Sequence, residues 1–368
     1  MIFQHALEVV GLFYLLELLL YTYASRRSRR SCRRTFPFRE LPKVSVVVAA
    51  KDEEKNLPAC LESLAALDYP RELLEIIIAN DQSVDSTPSV IASFAARYEH
   101  FRRIDVAESK TLRGKANALS QGIDAAGGEF IFLTDADCSV PVTWISGTLK
   151  YFDDRTGIVG GVTLISRTED IVSGIQALDW DFLLTVGAGA ATIRKPVACL
   201  GNNLVFRKRA YDDVGGYRNI KFSVTEDYAL FKSITSSGKW DYHYPMDRQT
   251  LVGTLPVKSL KEVFAQRKRW ATGGKDTGIF GVATLAPGFL FHWAILLSLF
   301  VTPAIFPLLL LVKMTLDGVF VFPTLRHYGK IAHLKFILYF EIYYLIYVAI
   351  LPFSVYLGNA IIWKGRKY

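Results

Sequence analysis

Residues 6 to 24 (ALEVVGLFYLLELLLYTYA) and the stretch from about Leu285 to Trp363 are too long and too apolar for the interior of an ordinary soluble domain. A bilayer core takes about 20 apolar residues per helix, so part of this chain is expected in lipid. Pro303 and Pro307 interrupt the C-terminal run. Three segments are expected there, near 284 to 301, 303 to 323 and 336 to 358, with a basic loop from Arg326 to Lys335. The expected organisation is a membrane helix at 1–25, a basic linker at 26–43, a soluble domain at 44–256, an amphipathic helix at 257–280 and a membrane region at 281–368.

Arg26, Arg27, Arg29, Arg30, Arg33 and Arg34 abut the end of the first apolar helix, where the positive-inside rule holds such clusters in the cytoplasm. The soluble domain is therefore expected in the cytosol. The start, MIFQHALE, has no basic region before its apolar run, and arginines follow it, so an uncleaved anchor is expected in place of a signal peptide. A net charge of +8 can mark a nucleic-acid binder. Here the basic run lies against a membrane segment and lacks interleaved aromatic side chains, so no nucleic acid is expected as a partner. Cys32, Cys60, Cys138 and Cys199 show no paired spacing. That points to free thiols in a reducing compartment, with neither a zinc site nor a disulfide framework.

Within the soluble domain, VSVVVAA (Val44 to Ala50) reads as a buried parallel strand, and Leu57, Leu61, Leu64 and Leu67 recur after it at helical spacing. The alternation repeats in LLEIIIAN then TPSVIASFAARY, in FRRIDVAE then GKANALSQGIDAA, and ends on the strand EFIFLTD. The expected class is α/β, a doubly wound sheet whose ligands lie beyond the carboxyl ends of the strands. Polar residues stand there: Lys51 to Glu54, Asn80 to Asp85, and Asp135 to Asp137. AAKDEEKN has no glycine after the first strand, unlike the GxGxxG of a dinucleotide oxidoreductase. Gly187 and Gly189 follow an expected helix, EDIVSGIQALDWDFLL, and read as close packing or a bend more than as a phosphate cradle. SLKEVFAQRKRW places Leu260, Val263, Phe264 and Trp270 near one helical face, with Lys261, Lys268 and Arg269 elsewhere, as in an interfacial helix.

Several of these residues can carry chemistry. Asp135 and Asp137 in LTDADC offer hard oxygens suited to Mg²⁺ or Mn²⁺ bridging a diphosphate, although a polar turn would read the same. Asn80 and Asp81 can receive a nucleotide base, while Asp85, Ser86 or Thr87 can cap the next helix. Lys115, at a helix start, can approach a phosphate or stay an exposed lysine. Asp227 in VTEDYAL can take a proton from an acceptor hydroxyl, or Thr225 can cap a helix with Glu226 and Asp227 in its first turn. In QRKRW, Arg269 can pair with a leaving diphosphate and Trp270 can stack on a sugar or anchor at the interface.

In order and spacing, NDQSVDST, GKANAL, DAD, GNN, TED and QRKRW resemble the membrane-integrated members of glycosyltransferase family 2, which include cellulose, chitin and hyaluronan synthases and ceramide glucosyltransferases. The likeness covers about Val44 to Trp270 and the flanking membrane helices. It implies a Rossmann-like GT-A fold with nucleotide contacts at Lys51, Glu53, Asp81 and Lys115. It further implies Asp135 at the nucleotide sugar, Asp135 and Asp137 at the metal, and Asp227 as base beside Glu226. Gln266, Arg269 and Trp270 would close over the diphosphate and acceptor, and Gly201, Asn202 and Asn203 would lie near the donor sugar. Two positions depart from the family pattern. Asp52 stands where asparagine is frequent, and Gln82 replaces a glycine that would take φ > 0 most easily.

The expected activity is inverting transfer of a hexose from a nucleotide-diphosphate sugar, UDP-sugar favoured, to a hydroxyl of a lipid or lipid-linked acceptor. A single base without an enzyme nucleophile implies one displacement, and the membrane segments would deliver an amphiphile. A processive polysaccharide synthase would share QRKRW, but about four membrane helices and no long C-terminal extension disfavour a channel built by one chain. A non-catalytic nucleotide-sugar-binding scaffold would not need DAD, TED and QRKRW together. A transporter is disfavoured because over half the chain reads as soluble and no intramembrane charge pair stands out beyond Glu17 and Glu341.

Overall fold

The computed structural model describes residues 1–30, 37–357, 362–363 and 366–367. Cys32, Arg33, Arg34 and Lys364 lie outside them. The chain forms two compact units. Met1–Arg30, Leu164–Ala198 and Pro256–Ile361 make a helical unit, and Ser31–Thr163, Cys199–Leu255 and Ile362–Tyr368 make an α/β unit.

The strands are β1 (Val44–Ala50), β2 (Leu74–Asn80), β3 (Phe101–Asp105), β4 (Phe130–Asp135), β5 (Cys138–Ser139), β6 (Thr156–Gly160), β7 (Thr163–Ile165), β8 (Leu204–Arg207), β9 (Asp241–His243) and β10 (Val252–Thr254). The main sheet of the α/β unit runs β3-β2-β1-β4-β8-β6-β9. Its first four strands are parallel, with Val44 opposite both Leu74 and Phe130. Strand β1 is buried on both faces, which is why its sequence is a continuous apolar run with no alternation. Helices Leu57–Ala65, Thr87–Arg97 and Gly114–Asp124 follow β1, β2 and β3, where the periodicity put them. Leu57, Leu61 and Leu64 are fully buried, each gaining about 1.5–3 kcal/mol over an exposed side chain. The rest of the sheet departs from a purely parallel arrangement. Strand β8 lies between β4 and β6 and is antiparallel to both. It comes from the LVF of ACLGNNLVF, a run too short to display a period. A second pairing joins β5 and β10, with Thr254 opposite Cys138.

The helical unit contains helices Ile2–Arg30, Ile171–Thr192, Leu260–Gly273, Gly278–Val301, Phe306–Tyr328 and Ile337–Leu357. Among the described residues, four segments are long and apolar enough to cross a membrane: Ile2–Arg29, Leu260–Val301, Pro303–Tyr328 and Ile331–Tyr356. Their burial is inverted relative to a water-soluble bundle. Phe13 is 58% and Phe300 84% exposed, while Lys313, Asp317 and Glu341 are 0% exposed. Lipid as solvent favours that inversion, because a charge within a span turns to the bundle interior and finds a partner. Lys313 Nζ donates to Asp317 Oδ2 at 2.6 Å and to Glu341 Oε2 at 2.5 Å, and Tyr14 Oη donates to Asp317 Oδ1 at 2.6 Å. The expectation that no charge pair stands out in the apolar segments beyond Glu17 and Glu341 is thus corrected, because Glu341 is paired with Lys313. Lys313 and Asp317 are one helical turn apart and meet Glu341 from the next helix.

Gly187 and Gly189 lie inside the helix Ile171–Thr192, beyond its expected end. A Cβ at Gly189 would come within 2.9 Å of the Tyr21 ring, so this glycine permits close packing on the first helix. In Leu260–Gly273 the inward face differs from the expected one. Leu260 is 42% exposed, while Val263 and Arg267 are buried and Phe264 and Trp270 are half-buried.

Candidate active site

The loops after β1 and β2 are tied together. Asp52 and Gln82 both adopt positive φ, 53° and 57°, a conformation costing a non-glycine residue about 1–2 kcal/mol. Hydrogen bonds offset that cost. Asp52 Oδ1 accepts from Val84 N at 2.8 Å, Asp52 N donates to Ser83 Oγ at 3.1 Å, and Glu53 N donates to Thr87 Oγ1 at 2.8 Å. Glu54 N donates to Asp85 Oδ2 at 3.1 Å, and Glu54 Oε2 accepts from Ser86 N at 3.0 Å. Gln82 therefore takes the conformation expected of glycine. Asp52 accepts a backbone N–H, which the oxygen of asparagine would do equally. Lys51 Nζ donates to the Asp81 carbonyl at 3.1 Å, and Asp81 is itself buried. Asn80 Nδ2 donates to Asp105 Oδ1 at 2.7 Å, and Asp85 Oδ1 accepts from Thr87 N at 2.9 Å, so both serve the loops.

Beyond β4 the acidic motifs converge on one cation. Lys115, in the first turn of Gly114–Asp124, has its Nζ 2.6 Å from Asp135 Oδ1 and 3.4 Å from Glu226 Oε1. Burial alone would lower the Lys115 pKa, but Asp135 and then Glu226 push it well above the ordinary lysine value. Asp137 is pushed up to about 6 by burial, then by the charges of Asp135 and Glu53. Asp227 is also pushed up to about 6, by burial and then Glu226, with Lys115 opposing. Its Oδ2 accepts from Gly201 N at 2.7 Å and its Oδ1 from Tyr228 N at 2.8 Å. A Cβ on residue 201 would lie 2.9 Å from Asp227 Cβ and Oδ2, so only glycine brings its N–H this close. Thr225 begins the helix Glu226–Ser236 without a side-chain cap.

Among the described residues, no three His, Cys, Asp or Glu side chains are grouped to hold a metal ion by themselves. Two carboxylates, with substrate phosphate oxygens and water completing the shell, are a usual set for Mg²⁺. Burial raises Asp137 most, and the charges of Asp135 and Glu53 that add to it are what a divalent cation would relieve, so Asp135 and Asp137 fit one.

Other expected positions fall elsewhere. Asn203 is engaged within the fold: its Nδ2 donates to the carbonyls of Val162 and Thr250, both at 2.8 Å, and its Oδ1 accepts from Trp144 Nε1 at 2.9 Å. At 1% exposure its amide is consumed in holding three segments together. Asn202 Oδ1 accepts from Thr163 Oγ1 at 2.8 Å. Gln266, Arg269 and Trp270 belong to the helical unit. The Gly201 contact to Asp227 and the burial of Arg267 were not foreseen from the sequence. The Gly201 N–H to Asp227 contact spans 26 positions, and no local pattern signals it. Among the described residues, Cys60, Cys138 and Cys199 are buried free thiols.

The family model of glycosyl transferase family 21 matches residues 5–368. The chain is 25% identical over 241 residues to a probable glycosyltransferase, YdaM, of Bacillus subtilis, covering 64% of this chain and 56% of that one. It is 29% identical over 262 residues to the poly-beta-1,6-N-acetyl-D-glucosamine synthase of Staphylococcus aureus, covering 70% and 61%. The chain thus spans less than two thirds of the length of either relative. Among solved structures, a mannosyltransferase of Pyrobaculum calidifontis in complex with GDP-Man and Mn²⁺ superposes with a TM-score of 0.57 at 17% identity, covering 95% of this chain and 99% of that one. That likeness is one of fold. The matching family carries the number 21 where the motifs resemble family 2, and the GT-A type is common to the family and the relatives. With a model spanning nearly all of the sequence, the chain belongs to glycosyl transferase family 21 and has a fold of the GT-A type.

Proposed function

We propose that this protein is an integral membrane enzyme that transfers a hexose, with inversion, from a UDP-sugar to a hydroxyl of a lipid or lipid-linked acceptor, with its α/β unit in the cytosol. The observation that carries this reading is the Asp227 carboxylate, fixed by Gly201 N and raised to about 6, in the same electrostatic cluster as the Lys115–Asp135 pair. A base with a pKa near the working pH is suited to take a proton late in an attack. Lys51, Glu53 and Asp81 would receive the nucleotide. Lys115 would exchange Asp135 for the donor diphosphate, and Asp135 would hold the nucleotide sugar. Thr163 engages only the oxygen of Asn202, leaving its amide to donate to a sugar hydroxyl. Asp135 and Asp137 would hold Mg²⁺ or Mn²⁺, which when bound neutralises charge developing on the departing diphosphate. Asp227 would accept the acceptor's proton as that oxygen attacks the anomeric carbon, with Glu226 keeping Lys115 in place. Gln266, Arg269 and Trp270 are assigned to the diphosphate and acceptor.

Four apolar helices with outward-facing phenylalanine and leucine favour an amphiphilic acceptor. A processive polysaccharide synthase is the second reading, favoured by the activity named for the staphylococcal relatives. Membranes containing the protein, incubated with a panel of radiolabelled nucleotide sugars, separate the two. Label extracted into organic solvent supports the lipid acceptor, label in a high-molecular-weight pellet supports the synthase, and label in neither defeats both.

A further inference from the structure

The side chain that QRKRW drives deepest into the helical unit is Arg267. It is 1% exposed, and its Nε donates to Asp179 Oδ2 of the helix Ile171–Thr192, where Asp179 is 0% exposed. The same guanidinium lies 4.1 Å from the centre of the Trp270 ring, and its Nη1 donates to Gln266 Oε1 at 2.8 Å. Trp180, next to Asp179 in sequence, meets the Trp270 ring edge-on with centres 5.3 Å apart. One buried cation therefore touches two of the three side chains assigned to the reaction from this helix.

We propose that Asp179 is a positioning residue: by fixing Arg267 it sets the placement of Gln266 and Trp270, and through their common helix that of Arg269. This rests on the reading of those three residues as part of the reaction. A fully buried ion pair is an inefficient source of stability, because desolvating both charges consumes most of their attraction and a well-packed apolar pair often serves as well or better. This pair is also incompletely satisfied, since Asp179 Oδ1 and Arg267 Nη2 have no hydrogen-bond partner. What the pair does supply is geometry. A planar guanidinium can bind a carboxylate with one nitrogen, an amide with another, and still lie against an indole, which the point charge of lysine cannot do.

The decisive variant is the double substitution Asp179→Leu with Arg267→Met in the full-length protein reconstituted in lipid nanodiscs. Removing both charges avoids the unpaired ion that would unfold a single variant. The expected result is a protein that melts at or above the wild-type temperature and binds donor nucleotide normally. Its kcat should fall at least about tenfold, since misplacing a reacting group by an ångström can cost about a hundredfold. Trp270 emission, isolated by difference against Trp270→Phe, should shift. Arg267→Lys, which keeps both charges of the pair, should show the same fall in kcat with little change in donor KM. A folded double variant with wild-type kcat and unshifted Trp270 emission overturns the proposal. Trp270→Ala and Arg269→Ala separate the two levels of the argument. If both transfer at the wild-type rate, the reading beneath the proposal is wrong; if they are slow while the double variant is fast, only the role of Asp179 is wrong.

Discussion

Replacing Asp227 by asparagine keeps the shape of the side chain and removes its capacity to take a proton. Both carboxylate oxygens accept backbone N–H groups, from Gly201 and Tyr228. Asparagine retains one acceptor oxygen, so one of those bonds is lost, at about 1.5–3 kcal/mol for a bond to a charged group. Against that, burial and Glu226 raise this carboxyl from 3.8 to about 6, so keeping it ionised in place costs about 3 kcal/mol that the neutral amide does not incur. The two effects nearly cancel, and Asp227→Asn should fold. The rate should not survive: loss of a general base costs about 10²–10⁴-fold, or roughly 3–5 kcal/mol of activation free energy. The assay is steady-state transfer by purified protein with radiolabelled donor, alongside calorimetric nucleotide binding and a melting curve. A variant that melts normally, binds nucleotide normally and transfers within about tenfold of wild type would refute the assignment of the base.

The same carboxylate should give kcat/KM an acidic limb near pH 6, because the rate requires its ionised form; a profile flat down to pH 5 would contradict this. Chelation of divalent metal should abolish transfer, and Mn²⁺ should raise the melting temperature more at pH 7 than at pH 5. The sign follows from Asp137, whose pKa is raised on folding from 3.8 to about 6. Its contribution favours folding fully below 3.8 and is lost as pH rises through about 6, so the metal-free protein has most to regain at neutral pH. Equal shifts at both pH values would count against the Asp135–Asp137 site. Gly201→Ala should displace Asp227 and slow transfer by about tenfold or more while nucleotide affinity holds; an unimpaired rate would show that the N–H contact is dispensable. Protease added outside right-side-out cells should leave the α/β unit intact, and external cleavage would reverse the orientation.

The parallel half of the sheet was legible because β1 and its neighbours are buried on both faces and announce themselves as apolar runs, each followed by a leucine-rich or alanine-rich helix. Once the strands were placed, Lys51, Asp81, Asp135 and Asp137 followed from where strands end. What stayed hidden depends on partners distant in sequence. Asn203 looks like a free polar residue in GNN, but Trp144, Val162 and Thr250 consume its amide. Strand β8 has only four residues, and its direction is set by pairing with β4 and β6. Arg267 was read past because periodicity assigns charges to the outer face, a rule for helices in water. In the helical unit Arg267 and Lys313 both point inward to carboxylates supplied by other helices.

The Lys313 cluster also constrains how the chain is made. A lysine at the centre of a span costs about 2.5–3.5 kcal/mol on insertion scales. Asp317, four residues on, travels into the bilayer with it, so the helix Phe306–Tyr328 arrives with its charge already matched. Glu341 comes only with the next helix, and Tyr14 is in place from the first. In a bilayer the helices Phe306–Tyr328 and Ile337–Leu357 would therefore be most favourable as a pair, because only together do they give Lys313 both of its carboxylates.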